Sequence, residues 1–402
     1  QLIDALITAK NGRVLVAAAG NGGNVPFHVG YTLPGADSAY TLFNYSNPFG
    51  GVYFDFWADT ANFNSNAYFA IGCNNSTGTD LGRTGHLTAP NILLAAGGDT
   101  IITVNGVNVE IYVTQYDSRY QVEILPNTTN TTLLWRLQTT GTGKLDCWAT
   151  STLIGTSDVV NTLNSVYIAD PKYRHSDYNK TMVSGWQNSD KVITVGNYSN
   201  RASYLDYYGT TVNLLQSPYN EVVGQRFATS SWGPTRDSRV KPDVMASGST
   251  TICTGDANFI TAAIPSNSFK ISVTRKHIRN GGTSMASPVV AGIAALYLQK
   301  YPHASYSEIK QALICTAKSD AFTGTTPNNE YGNGKVDGFA AIAHSCIVYG
   351  NNTDTSCLYY NPLANTDTGC VAKVYGVMDT GCFNYNPLAN VDGGVCNAKI
   401  YG

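Results

Sequence analysis

Two kinds of hydrophobic pattern alternate along this chain. Leucine and isoleucine recur at helical spacing within residues 1–10, which predicts an amphipathic helix. A short loop then leads to an unbroken run of small apolar residues at positions 14–19, which is typical of a strand buried on both faces of a parallel sheet. Helix, buried strand and a glycine-rich turn make up half of an α/β unit. We place this first α/β segment at residues 1–23.

A different pattern begins after the glycine-rich turn. Across residues 24–181, short runs alternate apolar and polar side chains, and Gly, Asn and Thr turns separate them, which predicts an inserted antiparallel β-sandwich. Asn105-Gly106 lies between two such runs and predicts a hairpin. Trp57 and Trp135 could bind glycans or proteins here, but a spacer or substrate-gating role is favoured, because aromatic residues in a sandwich usually form its core.

The α/β pattern returns at residues 182–345. A strand is predicted at KVITVGNYSN, and GGTSMASPVVAGIAALYLQKY predicts a long helix that is apolar nearly all round and therefore buried. Ser305 and Glu308 predict a capping box at the start of a second helix. We therefore predict an α/β parallel sheet with flanking helices, which the β-sandwich interrupts.

Residues 346–402 hold two copies of a repeat with a period of about 26 residues. Each copy contains YNPLAN between two cysteines, which predicts a small disulfide-stapled module. The acidic residues of the copies sit beside Asn and Gly, an oxygen-rich composition that suits either a structural Ca²⁺ or turns. Turn chemistry is favoured, since no EF-hand spacing is present. The four disulfide candidates are Cys357, Cys370, Cys382 and Cys396.

Composition narrows the classes of partner. The 402 residues carry a net charge of −2, which argues against a partner bound mainly by charge, such as nucleic acid or an anionic membrane. Charged residues are only 13% of the chain, against about 25% in an average soluble protein, and such a neutral, polar surface favours an extracellular location. No apolar run approaches the length of a membrane span.

Further cysteines and sequons fit that location. Cys73 and Cys147 lie in the β block and could pair with each other, whereas Cys315, on a predicted helix, is expected to be a buried free thiol. No zinc-type cysteine spacing occurs, and no metal or other cofactor is required. Eight sequons permit glycosylation, at Asn44, Asn74, Asn75, Asn127, Asn130, Asn179, Asn197 and Asn351.

The candidate chemistry lies at the start of the long helix. Ser284 follows the pair Gly281-Gly282, so a substrate backbone can approach it closely. The unpaired N–H groups of a helix N-terminus favour developing negative charge, so a serine there can attack a carbonyl while its own N–H holds the oxyanion. Asn21 ends the buried strand at residues 14–19, at the sheet edge where α/β proteins bind ligands.

These residues resemble the subtilisin-like serine proteases, or subtilases. GGTSMASPVVAGIAAL is similar to the nucleophile motif of the family, VLVAAAGNGG to its oxyanion strand, and SSWGPTRDSRVKPDVMASG to a third segment, all in family order. The resemblance implies that Ser284 is the nucleophile and that Asn21 and the Ser284 N–H form the oxyanion hole. It further implies that Ala18, Ala19 and Gly20 line one wall of the pocket for the residue before the scissile bond. Gly282 and Thr283 would shape the nucleophile turn.

The chain departs from the family in its general base. The family supplies Asp from an Asp-[Ser/Thr]-Gly motif and His from a His-Gly-Thr-His motif, both upstream of the oxyanion strand, and neither motif occurs here. His86, with Asp80 before it, is the nearest lookalike but falls inside the β block. We expect this chain to be the downstream part of a longer subtilase, inactive alone, with the upstream half in the same polypeptide or in an associated fragment.

The sequence agrees with two functions. The first is a secreted endopeptidase that hydrolyses peptide bonds through an acyl-enzyme on Ser284. The second is a catalytically inactive subtilase fold that serves as a structural component of an extracellular assembly. Some secreted bacterial subtilases carry a β-sandwich insertion, and the C-terminal copies resemble NYNPLAN-type repeats of large extracellular proteins, for which a stalk or attachment role is expected.

Overall fold

The structure is a computed structural model that describes most of the chain. The described residues are 2–45, 52–63, 66–151, 155–156, 159–160, 170–177, 180–183, 185–343, 349–350, 356–357, 366–367, 373–380, 382, 384–393 and 395–397. Its helices are α1 (Leu2–Thr8), α2 (Ala89–Ala96), α3 (Ala257–Asn267), α4 (Thr283–Lys300), α5 (Tyr306–Cys315) and α6 (Gly338–Ala343), with short 3₁₀ turns at Gly185–Asn188 and Ser268–Lys270.

The strands fall into one small parallel sheet, two large antiparallel sheets and several short pairs. They are β1 (Val16–Ala18), β2 (His28–Thr32), β3 (Gly35–Phe43), β4 (Phe54–Asp59), β5 (Tyr68–Asn74), β6 (Asp80–Arg83), β7 (Asp99–Val104), β8 (Val107–Tyr116), β9 (Arg119–Pro126), β10 (Leu134–Gly141), β11 (Lys144–Trp148), β12 (Thr150–Ser151), β13 (Gly155–Thr156), β14 (Ile193–Tyr198), β15 (Ser203–Leu205), β16 (Thr211–Asn213), β17 (Val244–Ser247), β18 (Thr251–Thr254), β19 (His277–Asn280), β20 (Tyr349–Gly350), β21 (Thr366–Asp367), β22 (Tyr375–Gly376) and β23 (Val391–Asp392).

The parallel sheet has the order β1-β14-β17 and packs against α4. Ile193 and Val244 of the sheet share a core with Ala286, Val290 and Ala294 of the helix. These sheet residues come from the unbroken apolar runs of the sequence, and such runs suit strands that are covered on a face by helices. The predicted α/β segments therefore meet in one sheet, against which α4 packs in this core, while Ile7 of α1 packs with Ala17 of β1 in a second cluster.

The long helix is less buried than its composition predicts. The residues that face the sheet recur at helical spacing, but Val289 is 40% exposed and Leu296 is 53% exposed. The expectation of a helix buried all round was wrong, because within the described chain the sheet covers only one of its faces. The predicted capping box at the next helix is confirmed, with Ser305 and Glu308 each accepting a backbone N–H of the other.

Two antiparallel sheets occupy the chain between β1 and β14. One has the order β3-β10-β5-β6 and the other β2-β11-β4-β9-β8-β7. They face each other across one aromatic core, in which Phe43 stacks on Phe54 with ring centroids 4.2 Å apart. The Asn105-Gly106 hairpin is confirmed, with both residues at positive φ between β7 and β8. The antiparallel sheets agree with the predicted sandwich, whose limits at residues 24 and 181 stay predictions.

Polar contacts attach this antiparallel block to the α/β part. Arg236 forms ion pairs with Asp59 at 2.8 Å and with Asp146 at 3.0 Å. The indole N–H of Trp148 donates to the carbonyl of Thr181 at 2.8 Å. Because Asp146 is almost fully buried, its pairing with Arg236 ties the six-stranded sheet to the segment before β17. The two parts of the fold are thus joined through specific charges.

The cysteines correct two expectations. Cys73, on β5, and Cys147, on β11, are buried free thiols rather than a disulfide. They belong to opposite sheets of the block, and packed sheets lie about 10 Å apart, further than a disulfide spans. Cys315 is disulfide-bonded and is not the free thiol expected.

In the C-terminal copies, the Cys382–Cys396 disulfide is confirmed. Cys357 is also disulfide-bonded, whereas Cys370 lies outside the described residues. Each copy forms one short parallel pair, β20 with β21 and β22 with β23. Asp379 lies within ligand distance of Cys382 and Cys396, but a disulfide leaves no thiolate for a metal ion. A structural Ca²⁺ stays a prediction.

Burial separates the sequons. Asn74 is 2% exposed, and its side-chain amide donates to the Gly78 carbonyl, while Asn197 lies fully buried in β14. A glycan on either would require its strand to leave the core, so these two candidates were wrong. Asn127 and Asn130 are exposed, Asn44 and Asn75 are half-buried, and Asn179 and Asn351 lie outside the described residues. None of the helices in the described part of the chain has the length and apolar character that a bilayer crossing requires.

Candidate active site

Ser284 lies in the first turn of α4, and Gly282 is the N-cap residue. Gly282 has a φ of 109°, in the region that favours glycine, and an added Cβ there would lie 3.0 Å from the Asn21 side chain. At Gly281 a Cβ would lie 2.3 Å from the Ser249 carbonyl oxygen. The glycine pair is therefore what allows this turn to lie against both neighbours.

The Ser284 side chain is exposed, whereas Gly282 and Thr283 before it are buried. Among the described residues, no side chain is hydrogen-bonded to the Ser284 hydroxyl. Its backbone N–H is one of the first amides of α4, which have no carbonyl partner within the helix. The residue thus offers an exposed hydroxyl and an amide that lies outside the hydrogen bonds of the helix.

Asn21 is held against this turn by Thr283. The Asn21 side-chain oxygen accepts the Thr283 backbone N–H at 3.0 Å and the Thr283 hydroxyl at 3.1 Å. The hydroxyl in turn accepts the Gly20 N–H at 3.2 Å. Because the oxygen is occupied, the amide Nδ2 is left to donate. Nδ2 has no hydrogen-bond partner within the described chain, so it is available to an oxygen of a ligand.

The turn that carries Asn21 is fixed by the segment at residues 229–231. The Gly22 N–H donates to the Ser231 hydroxyl and the Gly23 N–H to the Thr229 carbonyl, both at 2.9 Å. Of the three residues expected to line a substrate wall, Ala18 and Gly20 are half-buried. Ala19 is fully buried, and the part of these three residues in a substrate wall stays a prediction.

A pocket of about 330 Å³ opens beside Asn21 and Gly282. Its lining includes two cationic side chains, Lys270 and Arg279, which the sequence analysis did not single out. No local signal could have found them, because the pocket is assembled from five separate stretches of chain. Its lining residues are Asn21, Phe227, Thr229, Ser249, Lys270, Arg279, Asn280, Gly281 and Gly282.

Cys253 is the other reactive side chain near the turn. Its sulfur lies 3.6 Å from that of Met285, the residue after Ser284. Burial raises the pKa of the Cys253 thiol, which keeps it protonated. A protonated thiol is a poor nucleophile, so Ser284 is the nucleophile candidate at this turn.

The described histidines do not supply a base to Ser284, since none of them is hydrogen-bonded to it. The lookalike Asp80 pairs with Arg136 at 2.7 Å and not with His86. The histidines lie as follows: His28 between Asp146 and Asp177, His86 against Tyr68, His175 against Tyr173, His277 on Thr274, and His303 exposed at the surface, while His344 is outside the described residues.

Known proteins resemble the part of the chain that holds Ser284. Residues 161–334 match the subtilase family, by its sequence profile. The Serine protease AprX of Bacillus subtilis is 33% identical over 149 residues, which are 37% of this chain and 29% of that protein. Subtilisin-like protease SBT3.1 of Arabidopsis thaliana is 37% identical over 135 residues, 32% of this chain and 16% of that protein. An uncharacterized protein of Aquifex aeolicus is 36% identical over 132 residues, 33% of this chain and 52% of that protein.

A solved structure extends the likeness of the fold. The CspB protease of Clostridium perfringens superposes with a TM-score of 0.55 at 20% identity, over 84% of this chain and 60% of that one. At this identity the likeness concerns the fold alone. The chain therefore has a subtilase-like α/β fold, and it spans about half the length, or less, of the curated relatives named above.

Proposed function

We propose that this protein is a secreted subtilisin-like serine endopeptidase with Ser284 as its nucleophile. The observation that carries the proposal is the anchoring of Asn21 by Thr283, which leaves a side-chain N–H donor at the turn directly before the exposed Ser284. The similarity of residues 161–334 to the subtilase family supports it independently.

In the proposed mechanism, each group has one step. The Ser284 hydroxyl attacks the carbonyl carbon of a peptide bond, and a base takes its proton. Asn21 Nδ2 and the Ser284 N–H hold the negative oxygen of the tetrahedral intermediate. The base returns the proton to the leaving amine as the C–N bond breaks, which leaves an acyl-enzyme on Ser284. Water, deprotonated by the same base, then releases the acid.

The base belongs to the part of the proposal that reaches beyond this chain. We assign the His and Asp of the triad to upstream sequence, in the same polypeptide or in an associated fragment. The parallel strand β1 pairs with β14 on one side only, as far as the described strands show. Beside it lies an apolar groove of about 560 Å³, which a further strand and helix would cover. Its walls include Ile3, Leu6, Val14, Val16, Ala295 and Leu298.

The disulfides, the inserted block and the C-terminal repeats have supporting roles in this proposal. The disulfide-bonded Cys315, Cys357 and Cys382 support an extracellular location, because disulfides persist in oxidising compartments. Trp135 is fully buried, which favours a spacer or gating role for the inserted block over glycan binding through that residue. The C-terminal repeats would tether or extend the protein.

One observation favours a second function: no histidine in the described part of the chain is hydrogen-bonded to Ser284. A catalytically inactive subtilase fold, kept as a structural component of an extracellular assembly, would need no base at Ser284. The sequence that precedes Asn21 in the full-length protein separates the two functions. An upstream Asp-[Ser/Thr]-Gly motif and His-Gly-Thr-His motif would exclude the inactive alternative.

The experiment is casein hydrolysis by the full-length protein and two variants. Ser284→Ala should abolish hydrolysis, because it removes the nucleophile. Ser287→Ala, in the same motif and on the same helix, is the matched control and should retain activity. A Ser284→Ala variant that hydrolyses casein as fast as the unmodified protein would refute the proposal.

A further inference from the structure

We propose that the pocket formed by Lys270 and Arg279 selects substrates with an acidic residue directly after the scissile bond. This inference rests on the proposed function, since it concerns the same site. It adds a preference for one class of substrate, which neither the family similarity nor the sequence motifs predict.

The pocket borders the proposed oxyanion site, and we assign it to the leaving-group side of Ser284 by elimination. It shares Asn21 and Gly282 with the oxyanion site, so a peptide whose carbonyl oxygen reaches Asn21 must pass its mouth. None of Ala18, Ala19 and Gly20, the residues expected to contact the segment before the scissile bond, lines it. The pocket is therefore left for the residue that follows the bond.

Arg279 is held in place by three neighbours. Its guanidinium lies over the Tyr219 ring at 4.5 Å, and its Nε donates to the Thr250 hydroxyl at 3.3 Å. Its Nη2 lies 3.7 Å from the buried carboxylate of Glu221. A cation fixed in this way needs little reordering when it meets a carboxylate, which favours selectivity.

The charge balance of the pocket is positive. Glu221 lies behind Arg279 and its carboxylate accepts hydroxyl hydrogen bonds from Ser199, Ser249 and Thr250. It offsets one cation but does not line the pocket. Lys270 has no carboxylate within ion-pair distance in the described chain, and no Asp or Glu lines the pocket. A net positive charge thus faces a space large enough for a Glu or Asp side chain.

The chemical groups that line the pocket also suit a short acidic side chain. Asn280 and Thr229 add polar groups that can bond to a carboxylate, and Phe227 adds an apolar contact for the side-chain methylenes. A Lys or Arg of the substrate would instead bring a third cation into the same space. Such like-charge contacts oppose binding, so basic residues should be rejected.

A peptide library tests the pocket. The full-length protein should cut with Glu or Asp enriched roughly tenfold over Gln or Asn after the cleaved bond. Lys270→Gln should reduce that enrichment severalfold, and Arg279→Gln should do the same. Lys276→Gln is the matched control, since Lys276 is exposed on the same stretch and does not line the pocket. The mass-spectrometric cleavage profile gives the enrichment for each variant.

The outcomes separate this proposal from the one it rests on. Cleavage with no acidic enrichment, or with enrichment that survives both Lys270→Gln and Arg279→Gln, overturns the pocket assignment and leaves Ser284 untouched. A wholly uncut library counts against the endopeptidase proposal. The pocket is then decided by fluorescence anisotropy with labelled product peptides that begin with Glu or Gln. Equal affinities would overturn it, and tighter binding of the Glu peptide, lost in Lys270→Gln, would support it.

Discussion

Thr283 and Asn21 are 262 positions apart in the chain, yet both hydrogen-bond donors of Thr283 end on the side-chain oxygen of Asn21. The effect is to fix which end of the amide faces the helix. An asparagine free to rotate would offer its oxygen as readily as its nitrogen, and an oxygen would repel an oxyanion. The contact therefore leaves the Asn21 nitrogen as the free donor, and it is made by the residue that precedes the proposed nucleophile, Ser284.

Replacing Asn21 tests that role. Asn21→Ala in the full-length protein should lower kcat by about 10²–10³ with little change in KM, because the donor acts in the transition state. Asn24→Ala, at an exposed position of the same loop, should leave both constants unchanged. Steady-state kinetics on a fluorogenic peptide gives the two constants, and an Asn21→Ala variant with normal kcat would remove Asn21 from the oxyanion site.

The nucleophile turn should be intolerant of a single methyl group. Gly282→Ala should cut activity at least tenfold, because its φ of 109° is strained for alanine and the new Cβ presses on Asn21. Gly292→Ala lies on the same helix, where an added Cβ meets nothing within 4 Å. That control should keep full activity and gain about 0.5–1 kcal/mol of stability in denaturant unfolding. Equal activity in the two variants would contradict the tight fit of the turn.

Lys241 is a buried cation just before β17 that we expect to stabilise the parallel sheet. Burial lowers its pKa to about 8, although Asp243 beside it opposes that change. Its ammonium donates to the Val192 carbonyl, the Thr194 hydroxyl and the Asp243 carboxylate, at 2.7–3.0 Å. Lys241→Met should lower the free energy of unfolding by about 3 kcal/mol, because these acceptors lose their donor.

Lys310 also pairs with Asp243, at 2.9 Å. Because Asp243 keeps this partner in Lys241→Met, we expect a loss of unfolding free energy near the lower end of the range for broken buried ion pairs. Lys10→Met, at an exposed position, is the control and should change stability by less than about 0.5 kcal/mol. Urea unfolding measures both variants. A loss for Lys241→Met no larger than that of the control would show that the buried cation is not structural.

His28 should make stability depend on pH. Its Nδ1 lies 2.5 Å from Asp177 and its Nε2 lies 3.3 Å from Asp146, which Lys144 and Arg236 also contact. Burial alone would lower the His28 pKa, but the bonds to the two carboxylates outweigh it and hold the pKa above its ordinary 6.5. The charged form is thus favoured by folding.

A histidine whose pKa rises on folding stabilises the fold fully below its ordinary pKa and progressively less as pH rises through the folded value. The Tm difference between the unmodified protein and His28→Gln should therefore be largest near pH 5.5 and shrink above neutrality. His303→Gln, at an exposed position, should show no such trend. A difference that grew with pH would mean that His28 is neutral in the folded protein.

Local sequence signals were sufficient for most elements of the α/β part. The apolar run that forms β14 and the Ser305–Glu308 capping box each act over a few residues, so the sequence shows them directly. Contacts between distant segments gave no such signal. Nothing near Cys73 or Cys147 indicates that their strands belong to opposite sheets, and nothing near Lys270 indicates that it meets Arg279 at a pocket.

The exposed face of the Ser284 helix illustrates the same limit. Its composition is that of a covered helix, and Leu296 is nevertheless half exposed in the described fold. Composition records that an apolar side chain is present, whereas its burial depends on which other segments pack against it. For the same reason the motif that contains the proposed nucleophile was evident from sequence, while the source of a base was not.

Covalent labelling of Ser284 tests the central claim most directly. A fluorophosphonate reacts with a serine only where a base and an oxyanion site activate it. The full-length protein, treated with the probe and digested, should carry the adduct on the peptide that contains Ser284, and Ser284→Ala should carry none there. Folded full-length protein that gives no adduct at Ser284 would contradict the account and would leave the fold with a structural role.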